Sequence, residues 1–167
     1  MPQDDETVII GKSPAHIEAC VDSVVSLLHS HVPFACVEHV GSTSVPGCIG
    51  KGDIDILVRV SPDQFQRSRG VLDKLLGRSD RNEATDSYVE YDWTGAEQQA
   101  AVQLVAIGGT HDDFLRFRDL LLADRDLVQR YNALKLSYQG CSAEEYRKAK
   151  DEFITRVLGD SKTSVLT

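Results

Sequence analysis

The chain predicts a mixed α/β (α+β) fold, with a small mixed β-sheet flanked by helices and a helical C-terminal portion. Three observations carry this reading. The run Ile54 to Val58, IDILV, is aliphatic and β-branched, as buried strands are. Two further apolar runs, Tyr88 to Trp93 and Gln99 to Ile107, flank the short segment Thr94-Gly95-Ala96-Glu97 and read as a hairpin. After Gly108-Gly109 the apolar residues recur only at helical spacing.

Each element has a local reason. Ser13-Pro14 opens a helix with proline at its first position, and Ile17, Val21, Val24, Val25 and Leu28 give it an apolar stripe over about 14–30. Phe34 to Val40 is a short strand, Gly41-Ser42 begins a loop in which Pro46-Gly47 makes a turn, and Asp53 to Val60 is the second strand. Ser61-Pro62 starts another helix, running to about Leu76. Gly77 to Glu83 is a polar turn before the hairpin. Three helices follow, over about 112–123, 126–138 and 143–158. Ser142 and Glu145 form a capping box for the last of them, and 159–167 reads as a frayed tail.

The 167 residues suit a single domain, 1–167, with a sheet core over about 8–109 and a helical subdomain over about 110–158. No apolar run approaches the length of a membrane span, and the start, MPQDDETVII, is too acidic for a targeting peptide, so a cytoplasmic protein is expected. Cys20, Cys36, Cys48 and Cys141 lack Cys-x-x-Cys spacing and read as free thiols. A net charge of −8 argues against duplex nucleic acid as a partner. Positive charge is concentrated late: residues 1–60 hold 3 basic and 8 acidic side chains, whereas 112–167 hold 10 of each. Groups able to meet phosphate therefore come mainly from the C-terminal helices.

The most informative segment is 41–58, GSTSVPGCIGKGDIDILV. On a strand, period two puts Asp53 and Asp55 on one face while Ile54 and Ile56 enter the core. Two carboxylates so placed can share Mg²⁺ or Mn²⁺, which takes one or two carboxylates together with substrate phosphate oxygens and water. Gly41 lets backbone N–H groups approach phosphate without a Cβ in the way, and Ser42 adds a hydroxyl donor. A Gly-Ser turn ahead of an Asp-x-Asp strand is the layout of a metal-dependent nucleotidyl transfer site. The bland reading is an incidental acidic pair at the strand's solvent edge.

Glu38 to Val58, EHVGSTSVPGCIGKGDIDILV, resembles the signature of the GrpB (UPF0157) family, part of the nucleotidyltransferase superfamily and also found fused to dephospho-coenzyme A kinases. FLRFRDLL (114–121), RYNALK (130–135) and EYRKAKDEFI (145–154) resemble that family's later helices, so the likeness covers nearly the whole chain. It implies a nucleotidyltransferase-like fold, while the family's own biochemical role is poorly defined. Two departures stand out. Many members carry an aliphatic residue where this chain has Asp53. A third carboxylate, usual in this superfamily, is missing from the strand AAVQLVAI (100–107), which offers Gln103 where the family often has His nearby. Gln can coordinate through its carbonyl but brings no charge and is no base. Glu90 or Asp92 could substitute.

Among the cations, Lys135 lies beside the stripe of Leu127, Tyr131, Leu134 and Tyr138, and Lys150 starts from the row of Tyr146, Phe153 and Ile154. Each either snorkels to solvent or points into a pocket; the resemblance, with lysine at both positions, brings the pocket forward. Arg116 and Arg118 stand about 200° apart on their helix, and Arg118, in the family-like FRD, is the candidate. Lys51 is either a phosphate ligand or a solvated loop lysine. Glu38 and His39 are ambiguous, while His16, His29, His31 and His111 show no metal-ligand spacing. GCIGKGD lacks the Ser/Thr that follows the lysine of a P-loop, which argues against a kinase.

The expectation is thus a Mg²⁺- or Mn²⁺-dependent nucleotidyltransferase. Asp53 and Asp55 are its catalytic and metal-binding residues, and Gly41, Ser42, Lys51, Arg118, Lys135 and Lys150 its phosphate-binding residues. The partners expected are a nucleoside triphosphate and an unknown small-molecule or protein acceptor, with no membrane. The alternative is a catalytically degenerate module of the same fold that binds a nucleotide or phosphorylated ligand.

Overall fold

The computed structural model describes residues 14–95 and 98–164. Ser13 and the acidic start, Ala96 and Glu97 of the expected hairpin turn, and 165–167 of the expected tail lie outside the described residues. The elements run α1 (Pro14–His31), β1 (Cys36–Val40), a single 3-10 turn (Ser42–Ser44), β2 (Ile54–Val60), α2 (Pro62–Leu75), β3 (Gly77–Arg78), β4 (Tyr88–Thr94), β5 (Gln99–Ala106), α3 (Phe114–Ala123), α4 (Arg125–Ser137) and α5 (Ala143–Ser164). The five strands form one sheet in the order β1-β2-β5-β4-β3. Only β2 and β5 run parallel; the other pairs are antiparallel.

Strand pleating divides the side chains of β2 between two cores. Ile54, Ile56 and Val58 join Val24 and Leu28 of α1, Phe65 and Leu72 of α2, and Val102 and Leu104 of β5. On the opposite face Leu57 packs with Val40, Tyr88 and Val105 against Phe114 and Leu115. Asp55 shares this second face. The C-terminal helices bury a third cluster, Leu121, Leu127, Val128 and Tyr131 with Phe117 and Phe153, and Val45 from the loop after β1 inserts into it. That loop is thus anchored in the helices.

Local signals explain the helix ends. Asp124 separates α3 from α4 and accepts from the N–H groups of Asp126 and Leu127 at 2.9 and 3.1 Å, satisfying two otherwise unpaired donors. The capping box before α5 forms as expected: Glu145 N–H donates to Ser142 Oγ at 3.2 Å and Ser142 N–H to Glu145 Oε2 at 3.1 Å.

Several boundaries differ from expectation. The first strand starts at Cys36, and the second at Ile54, so Asp53 stands just before it. The polar turn after α2 contains the two-residue strand β3. α3 begins at Phe114 because Asp112 is engaged elsewhere, accepting from Arg59 Nε at 2.5 Å and from the Gly108 N–H at 2.8 Å. α5 continues to Ser164, so the part of the expected tail up to that residue is helical. The four cysteines are unbridged. No helix among the described residues is long and apolar enough to cross a membrane.

Candidate functional site

A cleft of about 740 Å³ opens between the Asp55 face of the sheet and helices α3 to α5, and all eight expected site residues line it: Gly41, Ser42, Lys51, Asp53, Asp55, Arg118, Lys135 and Lys150. Register explains the first contact. Val40, the last residue of β1, pairs with Asp55, so the chain turns away directly above that carboxylate. Gly41 makes the turn at φ +77, and a Cβ there would collide with Asp55 Oδ2. Glycine is required on both counts. Gly50 similarly leaves room for Ser42 Oγ, which folds the return of the loop closely over its start.

The two carboxylates are not equivalent. Asp53 is exposed at the strand entrance, whereas Asp55 is partly buried at the floor of the cleft. Burial pushes the Asp55 carboxyl up to about 6. Lys150 pulls it down, Asp53 and Glu90 push it further up, and Arg81 pulls it down. The backbone of Asp53 is fixed by Thr43, whose Oγ1 donates to the Asp53 carbonyl at 3.0 Å and lies 2.8 Å from His39 Nε2. With the Thr43 proton committed to Asp53, His39 Nε2 carries the hydrogen of that pair. Burial, then Arg118, lowers the His39 pKa and keeps the ring neutral.

Two expected phosphate ligands turn out to be occupied by protein. Arg118 Nη1 donates to Glu38 Oε2 at 2.8 Å and to the His39 carbonyl at 2.9 Å, while its Nε reaches Asp119 at 3.0 Å. Lys135 is 4% exposed and donates to the Ile49 carbonyl at 2.5 Å, with Cys48 Sγ at 3.5 Å and the Tyr131 ring 4.0 Å beneath it. Burial lowers its pKa. The family resemblance, added to helical spacing, made both candidates for the cleft; their partners, some 80 residues distant, were not legible. Lys51 and Lys150 also line the cleft, and Lys150 acts electrostatically on Asp55.

Sequence reasoning missed Asn132. Its Nδ2 donates to the Gly47 carbonyl at 2.8 Å and its Oδ1 accepts the Ile49 N–H at 2.9 Å, clamping the turn next to Lys135. The signal was its place in RYNALK. Arg81, in the polar turn between α2 and β4, also lines the cleft. It engages both candidates for a third carboxylate: Arg81 Nε binds Glu90 at 2.6 Å and Nη2 binds Asp92 at 2.5 Å. Burial alone would raise the Glu90 pKa, but hydrogen bonds from Asn82, Tyr88 and Arg81 hold it below the usual range. The strand next to Asp55 presents Gln103, whose Nε2 stands 3.5 Å from Asp55 Oδ1 and whose buried Oε1 has no hydrogen-bond partner. The two carboxylates, with a neighbouring amide whose oxygen is unpaired, offer oxygen ligands, the chemistry that fits a hard divalent cation.

A mixed sheet whose strand β2 carries Asp55, with Asp53 just before it, behind a Gly-Ser turn and faced by a helical layer across a cleft, defines a nucleotidyltransferase-like fold. Within that class the chain belongs to the GrpB family, whose sequence profile, described as GrpB protein, matches residues 12–160. A UPF0157 protein of Vibrio cholerae is 40% identical over 134 residues, covering 78% of this chain and 69% of that protein. The crystal structure of the conserved protein GrpB from Enterococcus faecalis is similar with a TM-score of 0.62 at 22% identity, over 90% of this chain and 99% of that one. Cid1 poly(U) polymerase, as a variant bound to MgATP, shares the fold with a TM-score of 0.51 at 16% identity. That similarity covers 77% of this chain and 43% of Cid1.

Proposed function

We propose that the cleft binds a nucleoside triphosphate with Mg²⁺ or Mn²⁺ and supports nucleotidyl transfer to a small-molecule or protein acceptor. The observation that carries this is the convergence of the Gly41-Ser42 turn, Lys51 and Lys150 on the Asp53–Asp55 pair within one cleft. Cid1, of the same fold, binds MgATP, which agrees with this reading at the level of fold. Asp53 and Asp55 would hold the cation, which would bridge phosphate oxygens and offset charge developing at the reacting phosphorus. Gly41 and Ser42 present backbone and hydroxyl donors to the phosphates, and Lys51 and Lys150 supply positive charge. Lys135 and Asn132 act through the loop, holding it in the shape that aims those donors, and Arg118 holds the end of β1 from which the loop departs.

A second reading, the catalytically degenerate binding module, is favoured by one observation: Gln103 stands beside Asp55 where a third carboxylate is usual, and the nearby acids are tied to Arg81. The two readings separate by titration calorimetry with each nucleoside triphosphate, with and without Mg²⁺, on wild type and the Asp53→Asn/Asp55→Asn double variant. Metal-dependent binding lost in the double variant supports the first. Binding that survives chelation and both substitutions supports the second, and no binding of any nucleotide overturns the first and restricts the second to a phosphorylated ligand that is not a nucleotide.

A further inference from the structure

Gln103 is 8% exposed, lines the cleft, and keeps its Oε1 buried without a hydrogen-bond partner. Such an oxygen is costly to leave unmade and marks a place where a partner is missing. Its register is fixed on both sides: it pairs with Leu57 of β2 and Glu90 of β4, placing its side chain on the face that carries Asp55. The amide nitrogen faces Asp55 Oδ1 at 3.5 Å, a long and weak contact. A half-turn of the amide exchanges nitrogen and oxygen at little cost in shape, and would set Oε1 on the Asp55 side.

We infer that Gln103 Oε1 is the third protein ligand of a single divalent-cation site formed with the Asp53 and Asp55 carboxylates. The inference rests on the cation-assisted reading above. Among the described residues no cluster of three His, Cys, Asp or Glu side chains suited to a metal occurs, so a third ligand has to come from another residue type. Glu90 and Asp92 are already paired with Arg81. Gln103 is the polar group next to Asp55 with an acceptor to spare. Two carboxylates and one neutral oxygen balance the charge of one divalent ion, whereas a two-ion clamp calls for more negative charge. The donor set is all oxygen, which selects Mg²⁺ or Mn²⁺ over thiophilic metals. The amide would then report occupancy, with nitrogen toward Asp55 in the empty site and oxygen toward the ion in the filled one.

The test is Mn²⁺ binding without nucleotide, followed by the electron paramagnetic resonance signal of free Mn²⁺, on wild type, Asp55→Asn, Gln103→Leu and Gln103→Glu. Circular dichroism and thermal melts establish that each variant is folded. Asp55→Asn should abolish binding, Gln103→Leu should weaken it by about tenfold, and Gln103→Glu should tighten it by a similar factor. If both Gln103 variants bind as wild type does while Asp55→Asn loses the ion, the site stands and Gln103 is not a ligand. If wild type binds no Mn²⁺, the inference fails outright, and nucleotide binding is judged separately by the calorimetry above.

Discussion

The Lys135 ammonium donates to the Ile49 carbonyl oxygen at 2.5 Å, joining α4 to a loop 86 positions earlier in the chain. Asn132, one helical turn before it, holds the same loop by two further hydrogen bonds. A residue that reads as a substrate ligand is thus a fastener, and the two roles make opposite predictions for two lysines of the same cleft.

Lys135→Met should destabilise the protein by about 1–3 kcal/mol, because it leaves the Ile49 carbonyl without its charged donor. Lys150→Met should leave stability within about 0.5 kcal/mol, being partly exposed with no hydrogen bond of that kind, yet weaken nucleotide binding about tenfold or more. Urea denaturation and calorimetry on both variants separate the roles. Equal stability losses would show that the two lysines are not distinguished in this way.

Asp55→Asn should raise stability at pH 7 while removing cation binding. Burial pushes the Asp55 carboxyl up from 3.8 to about 6, so at neutral pH the folded state bears an unfavourable negative charge, with a cost on the order of 2 kcal/mol. Asparagine keeps the shape and removes the charge. A lower melting temperature for this variant without added metal would contradict the assignment.

The Arg59–Asp112 pair sets an acid limit. The Arg59 hydrogen bond, helped by the Gly108 N–H, holds Asp112 below its ordinary value of 3.8. A depressed folded-state pKa means that the unfolded chain takes up the proton first as pH falls. The stability from this pair is therefore fully present above 3.8 and is lost as pH drops through the lower folded value. Arg59→Met should cost about 1–2 kcal/mol at pH 7 and flatten the stability profile below pH 4. An unchanged acid limb in stopped-flow or equilibrium unfolding would remove the pair from the account.

Gly41→Ala should cost more than about 1 kcal/mol, since φ is +77 and the new methyl meets the Asp55 carboxylate. Mn²⁺ or nucleotide binding should fall with it, as relief of the clash moves one of the partners that define the site. Gly140→Ala provides a control, with φ +85 and nothing within 4 Å of the added carbon. It carries the backbone cost alone, so only the Gly41 variant should lose ligand.

The fold was largely legible. α1 and α2 announce themselves by helical periodicity, and the strands of the hairpin by apolar runs on either side of a turn, since β4 and β5 are buried on both faces over most of their length. β3 was not legible, since two residues at a sheet edge carry no pattern. Asp53 and Asp55 were found as a pair, but their inequality was not, because it depends on where β2 begins and what lies over Asp55. The roles of Arg118 and Lys135 escaped for a related reason: helical spacing tells which way a side chain starts, and only tertiary structure tells what it meets. Arg81 lay in a turn with no apolar signal to interpret, and Asn132 is a polar residue beside an apolar stripe that says nothing of it; both act through hydrogen bonds to other segments.

The segment between β1 and β2 holds only one 3-10 turn of its own and takes its form from Val45 sunk among the helices and from Asn132 and Lys135 above it. On the ribosome, the N-terminal strands emerge long before α4 does, and at a synthesis rate of about 5–20 residues per second the loop waits several seconds for its clamps. A nascent chain halted after β5 would carry both carboxylates and the Gly-Ser turn but not the fastened loop, so that translation itself delays the moment at which the cleft acquires its final shape.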